Sequence, residues 1–333
     1  MVKHKETTLN QVELDLAAAA DFVDLNNLEA QKILTRAQDQ LGGLEKLGDP
    51  DPRIGEYRQK VVAILSKVAK VSSVPGPRLV YDFELSQKGI SPRATNLTGR
   101  ANEVFLGNQD SGSVWSVKIG NPETATEVSF GPLKSLSRLA AFGDRLSILD
   151  GDGVRLVNLK KGTVKNSAVT DLAVSEISDF VNYGGNLYFL NTTKNQIQKA
   201  VATSEGFGRV TNWLKEPTNL EQAKGLAVNG FVFVHFTDGR ILKFEGGRPV
   251  DFSLSGLGQK LTNDVFIYTA SGLSDLYLVE PLSLKIYKFT DLGLYQKTYD
   301  LLGSPLKSID SLYVNATSRL YLLSGGKVYE VEP

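Results

Sequence analysis

The chain has 333 residues, of which 41% are hydrophobic, so it is long enough for one large domain with an accessory element and a full core. Its 37 basic and 37 acidic side chains balance, which gives no support for binding to nucleic acid or to an anionic membrane. The absence of cysteine excludes disulfides, thiolate metal sites and a cysteine nucleophile.

The sequence contains no apolar run of about 18 residues and no hydrophobic signal region, so we expect a soluble chain that does not insert into a membrane. Met1 is the only methionine, which leaves open that the chain is a fragment of a longer protein. Its compartment, source and oligomeric state stay unknown from the sequence.

The N-terminal part of the chain predicts an α-helical hairpin. Apolar residues recur at helical spacing up to Leu41, and the breaker DPDP at 49–52 separates this helix from a second one that runs to about Val71. We therefore assign residues 1–77 to a helical hairpin with its linker, and residues 78–333 to the following domain.

The first predicted helix is longer than the second, so part of its apolar stripe is left uncovered. This part contains Leu9, Val12, Leu16 and Val23. One interpretation is self-association through the stripe, or a stalk that leads from an upstream domain. The alternatives are that the stripe folds back on the propeller or that the helix ends earlier.

From about residue 94 onward, a strand-turn-strand cassette recurs six times, about every 43 residues. Its second strand is anchored by Val114, Val154, Ile197, Ile241, Ile286 and Val328. This period and these short strands are typical of a β-propeller. We expect a mainly β fold, a six-bladed β-propeller with four-stranded blades.

The last cassette is one strand short of a four-stranded blade. Residues 78–85 match the outer strands of other cassettes, such as residues 295–302. We expect residues 78–85 to complete the last blade and to close the ring, because closure removes exposed sheet edges. The alternative is an independent edge strand.

Two features could carry metal or acid–base chemistry, and each has a structural alternative. The loop Asp150-Gly151-Asp152-Gly153 offers two carboxylates, but the chain re-enters a strand at Val154, which favours a tight turn over a calcium loop. His235 stands alone on an apolar strand, where a packed structural histidine is the common case. We assign no catalytic residue and no metal ligand, with calcium as the remaining candidate cofactor.

Charged residues recur just before the first strand of each cassette. In the aligned cassettes they are Arg93, Arg138, Asp179, Lys224, Asp264 and Asp310. Because the innermost strand of a blade starts at the central channel, we predict that these residues edge one channel mouth and bind a ligand there. The alternative is structural, since an aspartate at a strand start can accept backbone amides and lock adjacent blades.

The cassettes GGNLYFLNTTKNQIQK and SDLYLVEPLSLKIYKF resemble the six-bladed propellers of the NHL and YncE-like type. A helical stalk ahead of such a propeller also resembles the C-terminal sensor part of membrane-tethered bacterial signalling proteins. The resemblance implies a repeat protein of extracytoplasmic, bacterial origin with a role in signalling and in protein–protein interaction.

Together these features predict a non-catalytic recognition, sensor or scaffold module. We expect it to bind a peptide, protein or small ligand at the channel mouth, without nucleic acid. The alternative is a metal-dependent lactonase- or esterase-type propeller hydrolase, which rests on fold analogy alone. A third is a purely structural stalk-and-cap part of an assembly. Enzyme activity therefore stays open.

Overall fold

The structure is a computed structural model of a mainly β chain, a six-bladed propeller with N-terminal helices, and it confirms the predicted fold class. It describes residues 2–23, 25–46, 51–68, 71–73, 76–83, 85, 94–108, 111–120, 124–128, 130–131, 133, 136–257 and 259–332. The chain divides into two compact units. The first unit contains Met1–Ser72, Leu254–Lys260 and Tyr287–Tyr299; the second contains Ser73–Ser253, Leu261–Ile286 and Asp300–Pro333.

The first unit contains three helices instead of the two predicted: α1 (Val2–Phe22), α2 (Asn27–Lys46) and α3 (Pro52–Val68). The helix predicted to reach Leu41 is interrupted because Asn26 caps α2, its side-chain oxygen accepting the amide of Glu29 at 3.2 Å. α1 and α2 pack together and are tied by the Asp15–Arg36 ion pair, with an Nε–Oδ2 distance of 2.8 Å. None of the described helices is long and apolar enough to cross a membrane.

The apolar stripe of α1 lies in the core of the helical unit. Leu9 and Val12 are fully buried, Leu16 is 4% exposed, and Val23 packs against the same cluster. The prediction of a self-association surface at these residues is therefore wrong. The turn after Phe22 folds α2 back along α1, and this covers the stripe within the chain itself.

Each blade of the propeller is an antiparallel sheet. Blade 1 contains Ala94–Arg100, Glu103–Asn108, Val114–Lys118 and Ala125–Val128; blade 2 contains Leu136–Phe142, Arg145–Asp150, Gly153–Asn158 and Thr163–Lys165; blade 3 contains Ile177–Tyr183, Asn186–Asn191, Gln196–Ala200 and Thr211–Asn212. Blade 4 contains Ala223–Val228, Val232–Phe236, Ile241–Glu245 and Arg248–Val250; blade 5 contains Phe266–Tyr268, Asp275–Glu280, Lys285–Thr290 and Tyr295–Asp300; blade 6 contains Ser311–Val314, Leu320–Ser324, Lys327–Val331 and Arg78–Asp82.

Three short elements lie outside this pattern. They are the strand Val71–Ser73, which adds a fifth strand to the blade 5 sheet beside Tyr295–Asp300, the 3-10 helix Val174–Glu176, and a two-stranded sheet of Ala202–Thr203 with Gly206–Phe207. The first strands of most neighbouring blades contact one another, so they form the wall of the central channel.

The outer strand of blade 6 comes from the N-terminal side of the propeller. Arg78–Asp82 pairs antiparallel with Lys327–Val331. Glu330 is 3% exposed and accepts hydrogen bonds from Arg78 Nε at 2.9 Å and from Arg319 Nη1 at 2.7 Å. Strand pairing and this buried carboxylate together join two segments that are far apart in the sequence.

The innermost strand carries the same irregularity in four blades. The pairing register shifts between Ala94 and Leu97, Leu136 and Arg138, Ile177 and Asp179, and Ala223 and Gly225. A bulge at a strand start changes which face the following side chains occupy and re-aims them. The side chains just after the bulges therefore decide what the channel mouth presents.

Candidate ligand site in the central channel

One position of the innermost strand can be matched in all six blades through cross-strand pairs. The matching pairs are Leu97 with Leu106, Leu139 with Ile148, Phe180 with Phe189, Leu226 with Val234, Ile267 with Leu278, and Leu312 with Leu322. The residue directly before the first member of each pair is called the lock position. It is Asn96, Arg138, Asp179, Gly225, Phe266 and Ser311 in blades 1 to 6.

In three blades the lock position joins its blade to the next. Its side chain accepts the inner-strand amide of the following blade: Asn96 from Leu139 at 2.8 Å, Asp179 from Leu226 at 2.9 Å, and Ser311 from Leu97 at 2.9 Å. These buried amides would otherwise lack a partner in the interior. In these three blades the lock position therefore has a structural role. For Asp179 this is the alternative to ligand binding, in which the aspartate accepts backbone amides and joins adjacent blades.

Blade 2 departs from this pattern because its lock residue, Arg138, has no acceptor. Asp179 takes over the missing role, and its Oδ1 accepts the amide of Phe180 at 2.7 Å. The same Oδ1 lies 2.8 Å from Nε of Arg138. Arg138 is 38% exposed along its side chain, and its Nη1 and Nη2 make no hydrogen bond with the residues that the structure describes. Its guanidinium is thus held at one end and open at the other.

Asp179 is buried, with 5% of its surface exposed. Burial raises the pKa of its carboxyl group, while Arg138 and the amides of Leu226 and Phe180 act in the opposite direction. Three donors occupy the carboxyl group, so its main task is to hold the protein together.

Blade 4 departs in a second way, since its lock residue is Gly225. A Cβ at this position would lie 2.8 Å from His235 Cε1 and 2.8 Å from Asp179 Oδ2, so only glycine leaves room for both side chains. His235 is 8% exposed, and its Nδ1 is buried without a hydrogen-bond partner. Burial and the positive charges of Lys224 and Arg138 lower the pKa of His235 to about 4, although a backbone hydrogen bond with Gly225 acts to raise it. The imidazole is therefore uncharged at neutral pH.

The lock residue of blade 5, Phe266, also lacks an acceptor, and all three departures line one cavity of about 350 Å³ inside the channel. Its lining includes Arg138, Asp179, Gly225 and His235, and Asp310 lies at its rim. Arg138 and His235 both line this cavity, and Nδ1 of His235 is buried close to Gly225 without a described hydrogen-bond partner.

The cavity ends at Tyr313, which also borders a cleft of about 1020 Å³ at the opposite ends of the inner strands. A side chain at Gly99 would overlap the Tyr313 ring, so this glycine lets the ring lie flat against the strand. Tyr313 is 8% exposed, and burial raises its pKa to about 12. The phenol thus stays protonated and forms the partition between cavity and cleft.

Three of the six residues predicted at the mouth, Arg138, Asp179 and Asp310, line the same cavity, and Arg138 and Asp179 form an ion pair there. Lys224 and Asp264 form a separate surface ion pair, with Nζ and Oδ1 3.6 Å apart and side chains 38% and 69% exposed. Arg93 lies outside the described residues.

Asp310 is exposed, and its Oδ2 accepts the amide of Gly325 at 2.8 Å within blade 6. It lies one residue before the lock position Ser311, just as Lys224 lies one residue before Gly225. The cassette alignment therefore missed the lock position in these blades. The signal that finds it is the residue before the first buried apolar position of each inner strand, aligned through strand pairs.

The loop that resembled a calcium site has the geometry of a turn. Asp150 Oδ1 accepts the amide of Asp152 at 2.7 Å, and Oδ2 accepts Nε of Arg155 at 2.8 Å. The strand resumes at Gly153. Within the described part of the chain, no group of three or more histidine, aspartate and glutamate side chains is arranged to hold a metal ion.

Comparison with known proteins finds no matching family model and no matching curated protein. Among solved structures, a streptogramin B lyase is similar with a TM-score of 0.54 and 11% identity, over 78% of this chain and 99% of that one. Regucalcin of Agrobacterium tumefaciens strain C58, a calcium-binding protein, has a TM-score of 0.52 and 12% identity, over 79% and 95%. Virginiamycin B lyase of Staphylococcus aureus, solved with quinupristin, has a TM-score of 0.50 and 13% identity, over 75% and 98%. At these identities the likeness shows the propeller fold alone.

Proposed function

We propose that residues 78–333 form a non-catalytic recognition module that binds a small polar ligand or the end of a peptide in the central channel. The observation that carries the proposal is what accompanies the departures of blades 2 and 4 from the lock pattern. Arg138 and His235 line one cavity, and the terminal nitrogens of Arg138 and Nδ1 of His235 have no described protein partner.

A buried polar atom without a partner costs about 1–3 kcal/mol, so proteins seldom keep one without a use for it. A ligand that supplies the missing hydrogen bond recovers this free energy on binding. His235, 8% exposed, is therefore a better pointer to a ligand than the exposed charges at the rim.

The size of the cavity limits what can enter. Small-molecule sites span roughly 300–1,000 Å³, and the channel cavity of about 350 Å³ lies at the lower end of this range. It has room for a compact molecule or for one or two residues of a peptide, while a folded partner could engage only the rim.

The chemical state of the polar groups supports recognition over acid–base catalysis. A histidine with a pKa of about 4 is a weak base near neutral pH, and Asp179 is occupied by three donors. Both groups are suited to fix the position of a ligand.

The resemblance to sensor propellers supports a role in signalling, with the channel ligand as the signal and a protein partner as the receiver. In this proposal the helical residues 1–77 connect the propeller to the rest of a signalling protein. Bacterial origin and extracytoplasmic location belong to the same proposal.

The test is a binding screen with the matched variant His235→Leu. Leucine has a similar volume and removes the unsatisfied nitrogen, so we expect this variant to be as stable as the wild type or up to about 1 kcal/mol more stable. We expect small polar compounds or short peptides to raise the melting temperature of the wild type and to lose at least tenfold in affinity with the variant. The ligand should be recovered unchanged by NMR after incubation.

The control is Arg209→Gln, which changes an exposed arginine of blade 3 whose Nε lies 4.0 Å from Asp171. It should bind as the wild type does. A screen without any hit, hits that bind His235→Leu equally well, or conversion of the ligand would each overturn the proposal.

A further inference from the structure

We infer that the channel ligand carries a carboxylate group, which pairs with Nη1 and Nη2 of Arg138. This inference rests on the proposed function and names the chemical class of its ligand. It starts from the role that Arg138 does not play in the fold.

Arg138 is dispensable for the locking of the blades. In blades 1, 3 and 6 the lock position provides an acceptor, as Asn96 does for Leu139. Arg138 of blade 2 cannot accept the amide of Phe180 in blade 3, and Asp179 of blade 3 accepts it instead. An uncharged side chain at 138 would satisfy the backbone equally well, so the pattern of blade joints does not account for an arginine here.

The guanidinium of Arg138 is oriented by its single contact. Its Nε lies 2.8 Å from Oδ1 of the buried Asp179, which holds one side of the group close to that carboxylate. The edge formed by Nη1 and Nη2 remains open, and Arg138 lines the cavity. This edge presents two parallel N–H groups at the spacing of the two oxygens of a carboxylate. A lysine or an amide could not offer the same paired geometry.

The carboxylates around the cavity are already engaged by donors. Asp179 accepts two amides and contacts Arg138. At the rim, Asp310 accepts the amide of Gly325 and the hydroxyl of Ser308. A cationic ligand would have to share these oxygens with the donors already present, whereas an anionic ligand finds an open donor.

Positive charge also extends from the cavity to its rim. Lys224 lies next to Gly225 and makes only a long contact of 3.6 Å with the exposed Asp264. The positive charges of Lys224 and Arg138 both lower the pKa of His235, because they disfavour the protonated imidazole. The same potential favours a negative group that sits between them.

His235 adds a second point of contact. His235 lines the cavity, and a ligand that reaches its buried Nδ1 can donate to or accept from this neutral imidazole, so a hydroxyl, an amide or a second carboxylate oxygen suits it. With Tyr313 at the far end of the cavity, the site fits a short molecule that has its acid group at the mouth. The C-terminal residue of a peptide and a free organic acid share this chemistry.

The experiment compares matched ligands by isothermal titration calorimetry. One series contains N-acetyl dipeptides with a free carboxylate and the same dipeptides with a C-terminal amide. The other series contains propionate, succinate and benzoate with their amides. We expect the acids of at least one series to bind the wild type at least tenfold more tightly than their amides. Tighter binding by the peptide acids or by the free acids identifies the source of the carboxylate.

Two variants assign the effect to the guanidinium. Arg138→Gln combined with Asp179→Asn removes the ion pair without leaving one buried charge alone, and it should lose at least tenfold in acid binding. Arg138→Lys keeps the charge without the paired geometry and should bind acids more weakly than the wild type but more tightly than the double variant. Circular dichroism confirms that both fold, and Arg209→Gln should bind normally.

The outcomes separate this inference from the proposed function. If amides bind as well as acids, or if only uncharged compounds of the screen bind in a His235-dependent way, the carboxylate is overturned and the recognition site stands. Equal acid binding by the double variant also overturns it. If no compound of either kind binds the wild type, the proposed function itself fails and this inference fails with it.

Discussion

Asp179→Ala is the sharpest test of the joint between blades 3 and 4. The substitution removes the acceptor for two buried amides, those of Leu226 at 2.9 Å and Phe180 at 2.7 Å, and leaves Arg138 without its partner. Each unsatisfied buried amide costs about 1–3 kcal/mol. Removing a buried carboxyl group recovers part of this, because burial raises its pKa and so disfavours the ionised form.

The net expectation is a loss of about 2–4 kcal/mol in the free energy of unfolding. Asp179→Asn keeps one acceptor oxygen and should lose about 1–2 kcal/mol, since it can satisfy only one of the two amides. The matched control is Asp264→Ala, in a 69% exposed side chain 3.6 Å from Lys224, which should change stability by less than about 0.5 kcal/mol.

The assay is urea unfolding followed by the fluorescence of the two tryptophans. The three variants should rank Ala, Asn and the Asp264 control in order of decreasing loss. If Asp179→Ala loses no more than Asp264→Ala, the carboxyl group does not lock the blades, and the assignment of the lock position is refuted.

Three further changes test other parts of the structure. Burial would raise the pKa of Glu330, but hydrogen bonds from Arg319 and its neighbours lower it below the ordinary 4.5. The wild type should therefore be more stable than Glu330→Gln at pH 7, and this difference should vanish as the pH falls below about 4. A difference in urea midpoint between the two proteins that grows in acid would contradict this. Gly99→Ala should cost about 1–3 kcal/mol by overlap with Tyr313, and Tyr313→Leu should restore most of it; a loss that the second change leaves intact would point to another cause. Leu16→Ala should lower the free energy of unfolding of the helical unit by about 2–5 kcal/mol without changing the oligomeric state seen by light scattering. If the substitution instead dissociates an oligomer, the apolar stripe of α1 forms an interface between chains.

The fold could be predicted from the sequence because its repeats are redundant. Each of the six cassettes carries the same strand-turn-strand pattern, so a doubtful turn such as the one before Ile286 is supported by its counterparts. The helical part has no such redundancy. There a single cap, Asn26 with Glu29 three residues later, decides whether one helix or two form, and the continuous apolar spacing hid it.

The candidate site was predictable only in part, because it depends on the exact register of the inner strands. Arg138 and Asp179 were found, because in blades 2 and 3 the cassette alignment selected the residue directly before the paired apolar residues Leu139 and Phe180. Lys224 and Asp310 were chosen one residue too early, and such a shift changes the face of a strand. His235 looked like a packed core histidine, and no local pattern reveals that Gly225 of the neighbouring strand makes room for it.

The pairing of Arg78–Asp82 with Lys327–Val331 sets the order of events during synthesis. Arg78 leaves the ribosome 252 residues before Glu330, which at about 5–20 residues per second is roughly 10–50 s. Throughout this interval the strand exists without the one that will flank it, and it remains a free edge for any other nascent chain. Ribosome profiling combined with limited proteolysis of stalled chains should find it cleavable until the last blade emerges. Among the strands assigned to the six blades, Arg78–Asp82 is translated first, and its partner Lys327–Val331 is the last strand to be made.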